Sequence, residues 1–218
     1  MGLLMMLLTI GGLGLAFVLL TIAVLTKQVW LSKFVTGAVT IWFVFYTTML
    51  LGVSLASREK TLRLNEPKAF CGFYLDCHLH ASISDVRTTK QIGDKTAQGI
   101  FYIVKVKIFS DARRAAIGLH NPQFEVVDEQ RRIFQPIEDS IVSGNPFERK
   151  VPAGGSFEGE IVFDLPADIK NPRLDVAEGI GIDKVIESVL IGDEDSILHK
   201  RNYFKLEEQS QNSGVNKL

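Results

Sequence analysis

Residues Leu3–Thr26 read LLMMLLTIGGLGLAFVLLTIAVLT and residues Phe34–Ser57 read FVTGAVTIWFVFYTTMLLGVSLAS, with no Asp, Glu, Lys, Arg or His in either stretch. Each exceeds the roughly 20 apolar residues with which an α-helix crosses hydrocarbon. No water reaches backbone amides inside a bilayer, so a helix, which closes its own hydrogen bonds, is the expected conformation. The connector Lys27-Gln-Val-Trp30-Leu-Ser-Lys33 is too short for a domain, and two lysines beside a tryptophan suit a membrane–water interface. Residues 1–57 are therefore expected to form a transmembrane hairpin, with helices at about 3–26 and 34–57 joined by a tight turn. Gly12 with Ala16, and Gly37 with Ala38, offer small surfaces on which two helices can approach closely. A secretory signal peptide would carry a basic leading region, a shorter apolar core and a small-residue cleavage site. The first stretch has none of these. Trp42 and Tyr46 stand within the second; aromatic packing with the tyrosine hydroxyl bonded to a helix neighbour is the commoner use of such residues, and a lipid or quinone site is the sharper one.

Only two of the 24 basic residues and none of the 25 acidic ones precede Arg58, so the remainder is mildly acidic, with 22 basic side chains against 25 acidic. Basic clusters able to displace counterions from phosphates are missing, which sets nucleic acid aside. The remaining 161 residues suffice for one hydrophobic core. Both ends of a hairpin face one compartment. A literal count of Arg58, Lys60, Arg63 and Lys68 against Lys27 and Lys33 favours a cytoplasmic C-terminal domain. The first helix usually dominates orientation, however, and its only basic flank is the turn, which places the turn inside and the domain outside. The expected location is the cell (inner) membrane, two-pass, with the C-terminal domain extracytoplasmic and the lipid bilayer as one partner.

After a connector at 58–78 the pattern changes to alternation with period two, the mark of half-buried strands. Ile100, Tyr102, Val104, Val106 and Ile108 share one face, with Lys105 and Lys107 opposite. Phe157, Gly159, Ile161, Phe163 and Leu165 repeat this, with Glu158, Glu160 and Asp164 opposite. Shorter strands are expected at Leu79–Val86, Phe124–Asp128, Arg132–Pro136, Arg173–Val176, Lys184–Ile191 and Ser196–Lys205. Asn121-Pro122, Asn145-Pro146, Pro152-Ala-Gly154-Gly155 and Asn171-Pro172 punctuate them as turns. The expected fold class is all-β, an antiparallel sandwich or barrel at 79–205, followed by a disordered polar tail at 206–218.

The succession Phe101-Tyr-Ile-Val-Lys-Val-Lys-Ile-Phe109, Asn121-Pro-Gln-Phe-Glu-Val-Val-Asp128 and Val151-Pro-Ala-Gly-Gly-Ser-Phe-Glu-Gly-Glu-Ile-Val-Phe-Asp-Leu-Pro166 resembles the telokin-like, immunoglobulin-type β-sandwich of many bacterial membrane-anchored and secreted proteins. The resemblance covers Leu79 to Val176. It implies the sandwich fold and brings no catalytic residues, and the two-helix start departs from the family's commoner single signal or lipoprotein anchor.

Both cysteines fall in Cys71-Gly-Phe-Tyr-Leu-Asp-Cys77-His78-Leu-His80. Outside the cytoplasm such a pair is most simply a disulfide closing a small loop. The competing readings are free structural thiols and, more sharply, a metal or redox site using Cys71, Cys77, His78 and His80. His78 and His80 would share a strand face, as joint ligation requires, but Cys77 would point to the other, so no metal is expected and the two histidines are the residual candidates. Gly179-Ile-Gly181 lacks the third glycine of a dinucleotide loop, and Asp193-Glu194-Asp195 reads as a solvated acidic loop before it reads as a calcium site. Ser196 and His199, three apart in a strand, would face opposite sides and make no nucleophile and base pair. No catalytic residue and no cofactor is expected. The function read from the residues is a non-enzymatic interaction module with a protein or envelope partner; the alternatives are a thiol- or metal-handling protein and an accessory subunit of a larger membrane complex.

Overall fold

Hydroxyl groups in an apolar helix need acceptors, and five threonines of the N-terminal segment find them one turn back: Thr9, Thr21, Thr26, Thr40 and Thr48 each donate to the carbonyl four residues earlier at 2.7–2.9 Å. In the computed structural model, which describes residues 2–71, 77–137, 146–179 and 181–207, Thr9 and Thr21 lie in the helix Gly2–Leu25 (α1), Thr40 and Thr48 in the helix Val29–Ala56 (α2), and Thr26 directly after α1. Both are long and apolar enough to cross a membrane. The turn is shorter than expected. Lys27 takes φ +55° and α2 starts at Val29, so Lys33 lies on its first turns instead of in a connector. Trp30 and Phe34, one turn apart on α2, stack at 5.8 Å. Ala16, Ala23 and Val35 are buried in the hairpin, whereas a Cβ placed at Gly12 or Gly37 would meet no atom within 4 Å. Alanine and valine, not these glycines, make the close approach.

The chain divides into two units, one of Met1–Arg58 with Ile182–Arg201 and one of Glu59–Gly181 with Asn202–Leu218. In the first, Ile182–Ser188 forms a short helix (α3) followed by turns. Its contacts with α2 include Tyr46 Oη donating to the Val189 carbonyl at 2.7 Å and the Lys200 amide donating to Ser57 Oγ at 2.9 Å. The strand expected at Lys184–Ile191 is therefore replaced by a helix and turns, and the one expected at Ser196–Lys205 is cut to its last four residues.

Among its described residues the second unit holds nine strands: Lys60–Leu62 (β1), Lys68–Phe70 (β2), Leu79–Ile92 (β3), Lys95–Ser110 (β4), Pro122–Val127 (β5), Ile133–Phe134 (β6), Ser156–Leu165 (β7), Arg173–Glu178 (β8) and Asn202–Lys205 (β9). They form two sheets, ordered β1-β9-β8-β5-β6 and β2-β3-β4-β7. The two share one apolar core, to which one sheet brings Phe124, Val126, Leu174, Val176 and Phe204 and the other Ile83, Val104, Val106, Ile161 and Phe163. This is a β-sandwich. Along β7 the alternation reads directly, with Phe157, Ile161, Phe163 and Leu165 buried and Glu158 and Glu160 exposed. On β4, Val104, Val106 and Ile108 are buried and Lys105 and Lys107 lie opposite. Two features differ from expectation: β1 and β2 lie inside the segment expected as a connector, and β1 pairs with β9 in parallel while, among the described residues, the other strand pairs are antiparallel.

The β3–β4 ribbon is closed by Gly93-Asp94, with Ile92 opposite Lys95 and Gly93 at φ +55°, the positive value that a two-residue hairpin demands. The two sheets are also joined by charge. Lys68 of β2 and Asp175 of β8, 6% and 5% exposed, pair at 3.5 Å, and Lys68 Nζ also donates to the Asn202 carbonyl at 3.3 Å. Of the tail expected to be disordered at 206–218, Leu206 is instead buried in the core, its amide donating to the Pro172 carbonyl at 3.1 Å, because the chain continues from β9 along the sandwich; residues beyond Glu207 lie outside the described residues.

Candidate functional site

Antiparallel pairing sets Leu79 opposite Ser110 and His80 opposite Phe109. The ladder runs one step further, the Asp111 amide donating to the His78 carbonyl at 3.0 Å, so His78, His80, Phe109 and Asp111 share one face at the end of the ribbon. Asp111 stands between the two histidines. Its Oδ1 is 2.6 Å from His78 Nδ1 and its Oδ2 is 3.6 Å from His80 Nε2, while the His80 ring stacks on Phe109 at 5.1 Å. The hydrogen bond from His78 is the main cause that holds the Asp111 carboxyl below the usual carboxylate range, against a partial counter-effect of desolvation. Phe109 also walls a polar hollow of about 350 Å³ with Asn65, Ser82, Lys107 and Ser156.

Cys71 and Cys77 form a disulfide with their Cα atoms 4.0 Å apart, closing the loop between β2 and β3, whose residues 72–76 lie outside the described residues. Bonded to each other, the two sulfurs are not thiolate ligands, so the four-ligand arrangement of Cys71, Cys77, His78 and His80 does not assemble. His78 and His80 do share a face, and the third group they meet is Asp111. Replacing both cysteines by serine is expected to cost about 2 kcal/mol, the chain-entropy value for so short a loop. Urea unfolding with and without reductant measures this, and loss of the folded sandwich on reduction would contradict it.

The other candidates separate. Glu187, Asp193 and Asp195 bring carboxylate oxygens within 4.8 Å of one another, so it is Glu187, not the adjacent Glu194, that completes the acidic group. Lys184 Nζ sits 2.7 Å from Asp195 Oδ1 and supplies positive charge to it. Burial pushes the Asp193 carboxyl up, with the neighbouring Asp195 and Glu194 charges adding to it and the Asp195 amide opposing it. A carboxyl whose folded pKa exceeds its unfolded one stabilises below the unfolded pKa and loses that contribution as pH rises through the folded value. Asp193→Asn is therefore expected to slow hydrogen exchange across residues 184–200 at pH 8 and to change it little at pH 4. Equal effects at both pH values would contradict the assignment.

Ser196 is buried, its hydroxyl donating to the Asp193 carbonyl at 2.8 Å, and His199 Nδ1 lies 3.0 Å from the Lys200 carbonyl, so the two make no catalytic pair. The Gly179 amide bonds to the His120 and Asn121 carbonyls, as a turn. Trp42 Nε1 donates to Thr9 Oγ1 across the helices at 3.0 Å, and Tyr46 reaches Val189 instead of a helix neighbour. Two apolar clefts of about 520 and 360 Å³ border Trp42.

No curated protein matches the chain. Among solved structures it is similar to the yjhA protein of Bacillus subtilis, with 16% identity, 66% of this chain and 98% of that one covered, and a TM-score of 0.43. A secreted protein of Mycobacterium tuberculosis, MPT63, shares 14% identity over 59% of this chain and 95% of its own, with a TM-score of 0.41. An uncharacterised β-sandwich protein of Clostridium difficile shares 8% over 69% and 96%, with a TM-score of 0.39. The family described as a domain of unknown function (DUF4352) matches residues 76–186, a stretch that includes His78, His80 and Asp111 and excludes Cys71, α1 and α2. With half of its length in that match, the chain belongs to the DUF4352 family.

Proposed function

We propose that this chain is a membrane-tethered, extracytoplasmic, non-enzymatic interaction module. Its hairpin passes twice through the cell (inner) membrane, and an immunoglobulin-type, telokin-like sandwich offers loops or an edge strand to a protein or envelope partner. The observation that carries the reading is the apolar surface of the helices: Leu15, Phe17, Val24, Leu25, Ile41 and Phe43 are between 61 and 78% exposed, an arrangement that water penalises and acyl chains accept. The Cys71–Cys77 disulfide supports an oxidising compartment. Tethering raises the concentration of the sandwich beside its partner, so weak contacts suffice. C-terminal fusions test the sidedness: a phosphatase that folds only outside the cytoplasm is expected to be active and a fluorescent protein that folds only inside to be dark. The reverse pattern overturns the extracytoplasmic assignment.

A second reading, metal handling, is favoured by one observation, the Asp111 carboxylate set between His78 and His80. Two imidazoles and a carboxylate suit a divalent transition metal. Titration of the purified chain with zinc or copper is then expected to give stoichiometric binding that His78→Ala abolishes; binding that survives the substitution sinks this reading.

A further inference from the structure

We propose that Ile182–Arg201 is a membrane-interfacial element, lying at the headgroup boundary of the bilayer that α1 and α2 cross, with Val189 at the outer edge of the acyl chains and Val185, Ile197 and Leu198 turned to the headgroup layer. The inference rests on the membrane-spanning reading of the hairpin. It starts from how this segment leaves the sandwich. The chain departs after Gly181, returns at Asn202, and between them belongs to the helical unit. The contacts run along the last three turns of α2: Tyr46 Oη to the Val189 carbonyl, Ser54 Oγ to Ser196 Oγ at 3.3 Å, and Ser57 Oγ to the Lys200 amide. Leu50 and Leu190 are both buried, and Gly2, at the start of α1, lies so close to the Ile191 carbonyl that a Cβ would collide with it.

Helix geometry gives the depth. Trp30 sits at the turn end of the hairpin, the position of an interfacial anchor. Sixteen residues of helix separate it from Tyr46, which at 1.5 Å per residue is about 24 Å. A hydrocarbon core is about 30 Å thick. Tyr46, and the Val189 carbonyl bonded to it, therefore fall within the outer part of that core, while Ser57 and Lys200 lie beyond it.

The segment is built for that level. Val185, Val189, Ile197 and Leu198 are 66, 41, 48 and 60% exposed, four large apolar side chains within fourteen residues. Leu198 takes φ +64°, a conformation costly for a leucine. Backbone amides near hydrocarbon need internal acceptors, and here they have them: the amides of Val189, Leu190, Asp193, Ser196 and His199 each donate to the carbonyl three residues earlier, and the Ile197 amide donates to Ser188. Lys200 and Arg201 follow at the end that lies beyond the core, among the phosphates. An amphipathic surface segment settles about 5–10 Å into the boundary between headgroups and acyl chains. The exposed apolar side chains of this one adjoin helices that already face lipid, so the bilayer is the occupant the geometry favours.

Depth-dependent quenching tests this on the full chain in phosphatidylcholine–phosphatidylglycerol vesicles, with the Cys71–Cys77 disulfide intact. A single added cysteine at Val185, Ile197 or Leu198 carries an environment-sensitive nitrobenzoxadiazole label, and lipids carry a nitroxide at a shallow or a deep acyl position. The three labels are expected to emit at shorter wavelength than a label at Asp94, in the sandwich hairpin turn, and to be quenched about twofold more by shallow than by deep nitroxide, as the interfacial depth requires. Labels at Leu15 and Phe43 are expected to show the opposite preference. Water-like emission without quenching at 185, 197 and 198, alongside deep quenching at 15 and 43, overturns the inference and leaves the hairpin in the membrane. Absence of quenching at 15 and 43 as well overturns the spanning reading with it.

Discussion

Lys68→Met is expected to destabilise the sandwich by about 3–5 kcal/mol, the cost of leaving one partner of a buried ion pair behind. Lys68 lies on the edge strand β2 of one sheet and Asp175 on β8 of the other, each almost without solvent contact, so their 3.5 Å pairing is a cross-link between sheets as well as an electrostatic interaction. Removing the ammonium takes the positive partner away from a carboxylate that little water reaches. Removing both charges leaves no such carboxylate, and Lys68→Met combined with Asp175→Leu is expected to recover most of the loss. Urea unfolding of the detergent-solubilised chain, followed by far-ultraviolet circular dichroism, provides the measurement. If the double variant is as unstable as the two single changes added together, the pair is not coupled and the account of it is wrong.

The second large effect belongs to Phe147. It lies on a single 3₁₀ turn at Pro146–Glu148, is fully buried, and stands 4.7 Å from the Phe124 ring and 5.9 Å from the Phe157 ring. Gly159 on β7 makes room for it, since a Cβ there would sit 2.5 Å from the ring's Cζ. Phe147→Ala is expected to cost about 3–5 kcal/mol by the cavity it leaves. Gly159→Ala is expected to cost about 1–3 kcal/mol by overpacking. Because the two residues share one space, Gly159→Ala together with Phe147→Leu should cost less than their sum. Strict additivity in the same unfolding assay would show that the ring does not occupy the glycine's space.

The long periodic segments were legible from sequence because burial dictates them. Two uncharged runs must be helices if lipid surrounds them, and β7 buries one face of a long strand, so its alternation survives intact. On β4 it holds from Val104 to Ile108, whereas Phe101 is buried and Ile100 and Tyr102, expected on the buried face, are half-buried. Three kinds of feature were not legible. β1 and β2 are three residues each, too short for a period, and the residue that matters in β2 is a lysine, whose buried role depends on an aspartate more than a hundred positions away. Lys184–Ile191 is rich in β-branched residues and reads as a strand by composition. Glu187 and Leu190 are its buried positions, three apart, and an apolar helix to dock on overrides the local preference. Asp111 was missed for a geometric reason. The Gly93-Asp94 turn pairs Ile92 with Lys95, and continuing that register unchanged would set His78 opposite Phe109. Register shifts at Thr89/Gln91 and Ile83/Asp85 move the pairing by a net two residues, which brings Asp111 to His78 and keeps the same face outward. The hairpin turn was a usable signal, but bulges inside a strand leave little trace in sequence.

Alkaline carbonate extraction of membranes containing the intact chain, followed by flotation on a density gradient, tests the central claim most directly. The chain is predicted to float with the lipid after the wash and to be released by detergent alone. Recovery in the aqueous supernatant as a folded, detergent-free protein would mean that α1 and α2 hide their apolar side chains against protein, and would contradict a role at the bilayer.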